Sequence, residues 1–318
     1  MQIFKLEIKN YKSIQNLEIN SPGNFLVFVG ANASGKSNIV ESLEFASSVL
    51  RLQAEAVSLF GGFNEIKNFN TQDNSIYFKI LALDNYLELK FTKQEDLDYY
   101  TIVPKYDAYF SQFRDKFSRI FPSTRQDAKI RINDDSRLSL DCNNLGKVLG
   151  RLLNIKEKHE EIVEILQTLI PGFQDIEVRK SNITQEDKLY VYEEHTEQPF
   201  TDKLISDGTY NILSLITAVL QSDEPQFLCL EEPENGLNPK VIKELVHFFR
   251  EKCKLYGHFI WLTTHSQSLV SALLQSEIII VNKLEGNTKV RQINNIDLHG
   301  LPIDEAWLSN VFGGGIPW

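Results

Sequence analysis

The chain has 318 residues, 42% hydrophobic and 24% charged, an ordinary globular composition that excludes a disordered, collagen-like or disulfide-stapled scaffold. It carries 33 basic against 43 acidic residues, a net charge of −10, so its surface as a whole does not favour nucleic acid. DNA binding would need a local patch, a dimer groove or a partner. The three cysteines, Cys142, Cys229 and Cys253, have no CxxC spacing, which argues against a disulfide framework or a Cys-rich zinc site and for a reducing compartment. No apolar run approaches the about 18 residues of a membrane span. The N-terminal MQIFKLEIKN is charged where a signal peptide needs apolar residues. The expectation is a cytoplasmic protein with no membrane partner.

Residues 3–8 and 14–19 alternate apolar and polar residues, as half-buried strands do. Residues 25–29 (FLVFV) are continuously apolar, the pattern of a strand covered on both faces. A glycine-containing turn follows, then a helix with Ile39, Leu43, Ala46 and Leu50 on one stripe. Strands are predicted at 75–82, 86–92 and 98–103. The segment 104–175 reads as an insertion, with an aromatic and basic run and then a helix near 156–170 ended by Pro171-Gly172. Phe110, Phe113 and Phe117 read as core residues, with Arg114, Lys116 and Arg119 as solvated charges. The same run could instead form a partner or nucleic-acid surface.

From about 176 strands and helices alternate, implying a mostly parallel sheet. Helix 208–220 is apolar nearly all round and should be buried. Strand 226–231 leads into a polar loop, and Asn238-Pro239 caps the next helix. Strands 258–264 and 277–282 complete the pattern. The tail from Trp307 to Trp318 could pack back on its own domain or dock a partner. His159, His195, His247, His258 and His299 have no metal-ligand spacing.

Residues 30–37 spell Gly-Ala-Asn-Ala-Ser-Gly-Lys-Ser, the GxxxxGK[ST] phosphate loop, placed between a strand and a helix as that chemistry requires. Backbone N–H groups of Asn32, Ala33, Ser34, Gly35, Lys36, Ser37 and Asn38 would cradle the phosphates of ATP. Gly35 permits close backbone approach, and the helix start adds partial positive charge. The Lys36 ammonium would sit between the β- and γ-phosphates, and the Ser37 hydroxyl would ligate Mg2+. The strand 227–230 ends in Glu231 and Glu232. The first would hold Mg2+ where Asp is usual, and the second is the candidate general base.

Glu231-Glu232-Pro233-Glu234-Asn235-Gly236-Leu237-Asn238-Pro239 resembles the Walker-B and D-loop run of SMC/RecF-like, ABC-type ATPases. Ile205-Ser206-Asp207-Gly208-Thr209 resembles their signature motif in the form of RecF-like and OLD-family members. Thr264-His265-Ser266 resembles the switch histidine, and Lys9-Asn10-Tyr11-Lys12-Ser13-Ile14 the family's opening. The likeness covers roughly 1–60 and 170–282, with fainter echoes at Gly61-Gly62-Phe63 and from Trp307 to Gly315. It points to the stand-alone ATPase heads found in bacterial defence and repair.

The resemblance implies an α/β P-loop NTPase of ABC type, with a mostly parallel central sheet, an N-terminal antiparallel β lobe and a mixed or helical insertion. The halves of the head would be 1–103 and 176–318, flanking the insertion 104–175. It further implies two heads in head-to-tail arrangement around two ATPs. Ser206 and the Gly208 N–H would meet the γ-phosphate held by the other head. His265 would act in cis on the γ-phosphate or the attacking water, and Asn238 would line the seam. Asp207 stands where the signature has Gly, so it should point away from phosphate or toward the opposite head. Gln72 is the one guess at a Q-loop glutamine.

Two functions follow. One is an ATP-driven dimerising switch controlling a separate effector, a nuclease in an antiphage system, with DNA reached directly or through that partner. The alternative is a RecF/SMC-like DNA-binding ATPase of repair or maintenance. The chain lacks the heptads of long SMC arms. A transporter subunit fits less well, given the wide gap between phosphate loop and signature, and a kinase has no use for a trans signature.

Overall fold

The computed structural model describes residues 2–83, 85–93, 100–102, 110–122, 135–180, 187–201, 204–294, 296–298 and 300–312. The chain forms two compact units. The first comprises residues 1–119, 224–232 and 249–318, and the second 120–223 and 233–248.

In the first unit, β1 (Lys5–Tyr11) and β2 (Ile14–Asn20) form a hairpin, and β1 also pairs antiparallel with β4 (Ser75–Ala82). β5 (Asn85–Lys93) and β6 (Tyr100–Ile102) extend this sheet in the order β2-β1-β4-β5-β6. The rest of the strand predicted at 98–103 lies outside the described residues. The second sheet has three strands covered along their whole length. β3 (Phe25–Val29), β11 (Phe227–Glu231) and β12 (Phe259–Thr264) are buried at every position. β3 pairs parallel with β12 and with β13 (Ile278–Leu284), and β12 pairs parallel with β11. β14 (Asn287–Gln292) closes one edge antiparallel to β13, and β7 (Phe117–Ile120) lies beside β11 at the other. The mostly parallel sheet and the antiparallel lobe expected from sequence are both present.

Helix α1 (Lys36–Leu52) follows β3, and α2 (Glu55–Leu59), α3 (Phe63–Ile66) and α4 (Ser111–Asp115) come next in the same unit. α1 is buried well beyond its expected stripe, because Glu41, Ser42, Glu44, Ser47 and Ser48 are covered as well. The Ser47 hydroxyl donates to the Phe113 carbonyl at 3.0 Å. Phe110, Phe113 and Phe117 are core residues, as their aromatic character suggests. Arg119 is not the solvated charge the sequence pattern predicts. Its side chain is only 8% exposed and is engaged by three glutamates.

The second unit holds α5 (Leu145–Leu153), α6 (Lys156–Leu169) and α7 (Asp207–Leu220), together with an antiparallel sheet of β8 (Phe173–Lys180), β9 (Asp187–Glu193) and β10 (Phe200–Thr201). These strands do not join the parallel sheet. α7 is buried from Asn211 to Leu220, as an all-round apolar helix should be. α8 (Pro239–Tyr256) begins where Asn238 caps it. The Asn238 Oδ1 accepts from the N–H groups of Lys240 and Val241 at 3.1 and 3.0 Å.

The remaining helices are α9 (Gln267–Val270) and α10 (Ile303–Leu308). Trp307 and Phe312 are buried, and the Phe312 carbonyl accepts from Arg291 at 2.8 Å, so the tail packs back on its own unit as far as Phe312. Its last residues, 313–318, and His299 lie outside the described residues. All three cysteines are free and buried, and burial pushes the Cys142 and Cys253 thiols up to about 12.

Phe227 sits at the centre of an aromatic cluster, with its ring centroid 4.9–5.7 Å from those of Phe113, Phe117, Phe259 and Trp261. Truncating it removes contacts with all four rings at a fully buried position. Phe227→Ala should destabilise the protein by about 3–5 kcal/mol, read from the shift of the urea unfolding midpoint at unchanged slope.

Candidate functional site

The phosphate loop leaves β3 and enters α1. The Gly30 N–H donates to the Thr264 carbonyl at 3.3 Å, tying the loop to the end of β12. Ala33 and Gly35 have positive φ, +62° and +104°, and the loop curls tightly enough that the Ser34 N–H donates to the Ala31 carbonyl at 3.3 Å. Added side chains would not fit. A Cβ on Gly30 would lie 2.2 Å from the Val281 carbonyl oxygen, and one on Gly35 1.9 Å from Thr288 Oγ1. Gly35 is the N-cap of α1 and provides no side-chain cap, so the first N–H groups of the helix face the loop. Ser34 Oγ is buried without a hydrogen-bond partner. The Lys36 ammonium is 2.8 and 2.9 Å from the carbonyl oxygens of Gly30 and Ala31. Asn32, Ala33 and Ser37 are exposed. This cradle fits a phosphate group in shape, charge and available donors.

A hydroxyl relay braces the loop from outside. The Asn38 amide donates to Ser13 Oγ at 2.6 Å, and Ser13 Oγ lies 2.6 Å from Thr288 Oγ1, which donates to the Ser34 carbonyl at 3.2 Å. One direction of donation satisfies the whole chain: Asn38 to Ser13 to Thr288 to Ser34. The Thr288 N–H also donates to the Ser13 carbonyl at 2.7 Å. Ser13 falls within the family-like opening of the sequence, but no local signal marks Thr288.

Parallel pairing places the other candidates. Glu231 opposes Thr263 across the β11–β12 ladder, and the Glu232 N–H donates to the Thr263 carbonyl at 3.0 Å. Two residues later His265 follows β12, and its Nδ1 lies 3.3 Å from Glu232 Oε1. Glu232 has φ +45°, a left-handed conformation that costs a non-glycine residue roughly 1 kcal/mol or more. That strained turn carries the carboxylate to the histidine, and both side chains keep access to solvent, at 26% and 40% exposure.

Glu231 is in a different situation. It is 1% exposed, and its Oε1 accepts from Arg119 Nε at 2.5 Å. Arg119 Nη1 also donates to Glu44 on α1 at 2.9 Å and stands 3.9 Å from Glu41. Glu41 in turn accepts from the Tyr11 hydroxyl at 3.1 Å and pairs with Lys12. Burial acts against the Arg119 charge, but Glu231, Glu44 and Glu41 outweigh it and hold the guanidinium more firmly protonated than usual. Burial, with Glu41 beside it, raises the Tyr11 phenol well above its ordinary value.

In the second unit, Ser206 is the N-cap of α7, its Oγ accepting from the Thr209 N–H at 3.0 Å. A Cβ on Gly208 would meet the Gly236 carbonyl oxygen at 2.6 Å, so only glycine lets the start of α7 approach the D-loop-like turn. Asn211 Nδ2 donates to the Pro233 and Asn235 carbonyls at 3.1 and 2.8 Å, stapling the same turn to α7. Ser206 and Asp207 are exposed, and Asp207 lies in the first turn, where an acid favours the helix dipole. Gln72 is exposed in the loop before β4.

Residues 25–271 match the family described as "AAA domain, putative AbiEii toxin, Type IV TA system", and the chain belongs to that family. Its fold is that of SMC heads. An SMC head solved with the C-winged helix domain of ScpA superposes with a TM-score of 0.60 at 17% identity, over 92% of this chain and 98% of that one. The SMC head of Thermotoga maritima gives 0.54 at 16% identity, over 92% and 100%. In sequence, the chromosome partition protein Smc of Methanocaldococcus jannaschii is 35% identical over 77 residues, 23% of this chain and 7% of that protein. The energy-coupling factor transporter ATP-binding protein EcfA1 of Methanospirillum hungatei is 37% identical over 59 residues, 19% and 21%. The chain thus spans under a quarter of the length of these curated relatives. Family and fold together define an ATPase head of ABC/SMC type.

The relay bracing the loop is testable. Thr288→Val keeps the shape but removes the donor to the Ser34 carbonyl and the acceptor for the Ser13 hydroxyl. It should cost about 1–3 kcal/mol in urea unfolding and weaken nucleotide binding, measured by titration of a fluorescent ATP analogue.

Proposed function

We propose that the chain is an ATP-hydrolysing, dimerising switch that controls a separate effector of nuclease class in bacterial antiphage defence. The observation that carries the reading is the Glu232–His265 pair, 3.3 Å apart at the ends of adjacent parallel strands, with the phosphate loop on the next strand.

The phosphate loop from Asn32 to Asn38 binds the phosphates of ATP, with Lys36 leaving the Gly30 and Ala31 carbonyls to meet them. Ser37 and Glu231 would hold Mg2+, a donor set of one hydroxyl and one carboxylate that suits an ion retaining phosphate and water ligands. When bound, that ion neutralises charge on the β- and γ-phosphates. Glu232 takes the proton of the attacking water, and His265 orients the Glu232 carboxylate and the γ-phosphate end of the site. Ser206 and the Gly208 N–H, at the start of α7, complete the site of a second head across the seam, with Asn238 nearby. Site and seam are then both made by nucleotide, and hydrolysis opens the dimer.

The net charge of −10 supports action through a partner in the cytoplasm rather than an unaided grip on DNA. The family description names a toxin and a type IV toxin–antitoxin system, which fits a two-component arrangement. SMC heads solved with ScpA bound supply a precedent for a partner carried on such a head.

Lys36→Ala should abolish nucleotide binding. Glu232→Gln should bind ATP normally, hydrolyse it at least 100-fold more slowly and accumulate as a dimer in size-exclusion chromatography with light scattering. Parental turnover in this variant would remove Glu232 as the base. Ser206→Arg should bind ATP yet stay monomeric, and a normal ATP-dependent dimer would remove the trans role of α7. Tagged Glu232→Gln protein recovered from its native cells with Mg-ATP should bring down a stoichiometric nuclease. Recovery of DNA alone would favour the self-sufficient DNA-clamp reading.

A further inference from the structure

Arg119 is absent from every motif read in the sequence, yet it occupies a decisive place. Its Nε bonds the Glu231 carboxylate at the end of β11, and its Nη1 bonds Glu44 on α1, at 2.5 and 2.9 Å. One planar, rigid guanidinium thus joins the two elements that carry Ser37 and Glu231. The join is dry: Glu231 is 1% exposed, and the Arg119 and Glu44 side chains 8% and 10%. Glu41, 3.9 Å from Arg119 and bonded to Tyr11 and Lys12, extends the same network to the turn between β1 and β2. α1 begins with Lys36 and Ser37, so a force on Glu44 is transmitted along a rigid helix to the start of the phosphate loop.

We propose that Arg119 is a positioning residue for the divalent cation. By bridging Glu231 to Glu44 it sets the separation between the Glu231 carboxylate and the Ser37 hydroxyl. This rests on the reading of Ser37 and Glu231 as the Mg2+ residues. The physical argument is geometric. Mg2+ demands near-ideal octahedral coordination with ligands at about 2.0–2.1 Å, whereas Ca2+ accepts six to eight oxygens at about 2.3–2.6 Å in variable arrangements. A bridge that fixes the spacing of two ligand-bearing elements therefore matters for Mg2+ and much less for Ca2+. Lysine in place of Arg119 keeps the charge but, as a point donor on a flexible stem, cannot hold both carboxylates in one plane.

The test is a titration of Mg2+, and separately of Ca2+, against binding of a fluorescent ATP analogue by the full chain and its Arg119→Lys variant. Metal-free binding serves as the reference and thermal unfolding as the check on folding. The expected result is a rise of fivefold or more in the Mg2+ midpoint of Arg119→Lys, with the Ca2+ midpoint moving less than twofold. Unchanged midpoints in a folded variant would overturn the proposal. So would equal shifts for both ions, which would assign Arg119 a general charge effect. If Arg119→Lys does not fold, Glu44→Gln cuts only the α1 end of the bridge and should show the same selective rise, and its absence would overturn the proposal. If the parent chain binds the analogue with no dependence on Mg2+, the assignment of Ser37 and Glu231 itself fails, and the proposal with it. A parental Mg2+ dependence left unaltered by the variants rejects Arg119 alone.

Discussion

Parallel pairing of β3, β12 and β11 is the constraint on which the rest of the site depends. Three adjacent parallel strands finish at the same edge of the sheet, and each continues into a segment of the candidate site: the phosphate loop, His265 and the Glu231-Glu232 pair. Ligands of open α/β sheets bind outside the carboxyl ends of the strands for this reason. Burial of these strands at every position makes the register hard to slip, since a shift would misalign the sheet's side chains with both covering layers. The positions of residues far apart in sequence are therefore fixed by packing before any polar contact between them is considered.

Polar contacts then refine that frame in two distinct ways. Around the phosphate loop they are short neutral hydrogen bonds, running from Asn38 through Ser13 and Thr288 to Ser34, which hold a glycine-rich backbone in a conformation of low intrinsic preference. Around Glu231 they are charged, with Arg119 and Lys12 set among three glutamates. A buried ion pair is poor evidence of stability, because desolvating the ions offsets their attraction. Its more credible use here is to define position, since the guanidinium fork fits its carboxylates in few arrangements. Glu232, one residue away, is set differently. It reaches His265 through a strained backbone and keeps contact with solvent.

The sequence was most informative where the candidate site lies in a contiguous run. The phosphate loop, the two acids, the cap at Asn238 and the glycine of Ile205 to Thr209 are local statements, and their chemistry is dictated by neighbours within a few residues. The same holds for β3, β11 and β12, whose continuous apolar runs announce strands covered on both sides. Arg119 was misread because its partners, Glu44 and Glu231, lie 75 and 112 positions away in the chain. In a run of aromatic and basic residues nothing local separates a core arginine from a solvated one. Thr288 was invisible for the same reason, as its hydroxyl partner Ser13 is 275 positions distant. The antiparallel β8–β10 sheet was also hidden, because its strands carry the half-buried pattern that any sheet with one open face would show.

The second unit shows how an exposed helix start can be built by ordinary packing. Gly208 lies so close to the Gly236 carbonyl that no side chain fits, and Asn211 bonds two carbonyls of the same turn. The exposed start of α7 and the turn after Glu232 therefore belong to one rigid piece.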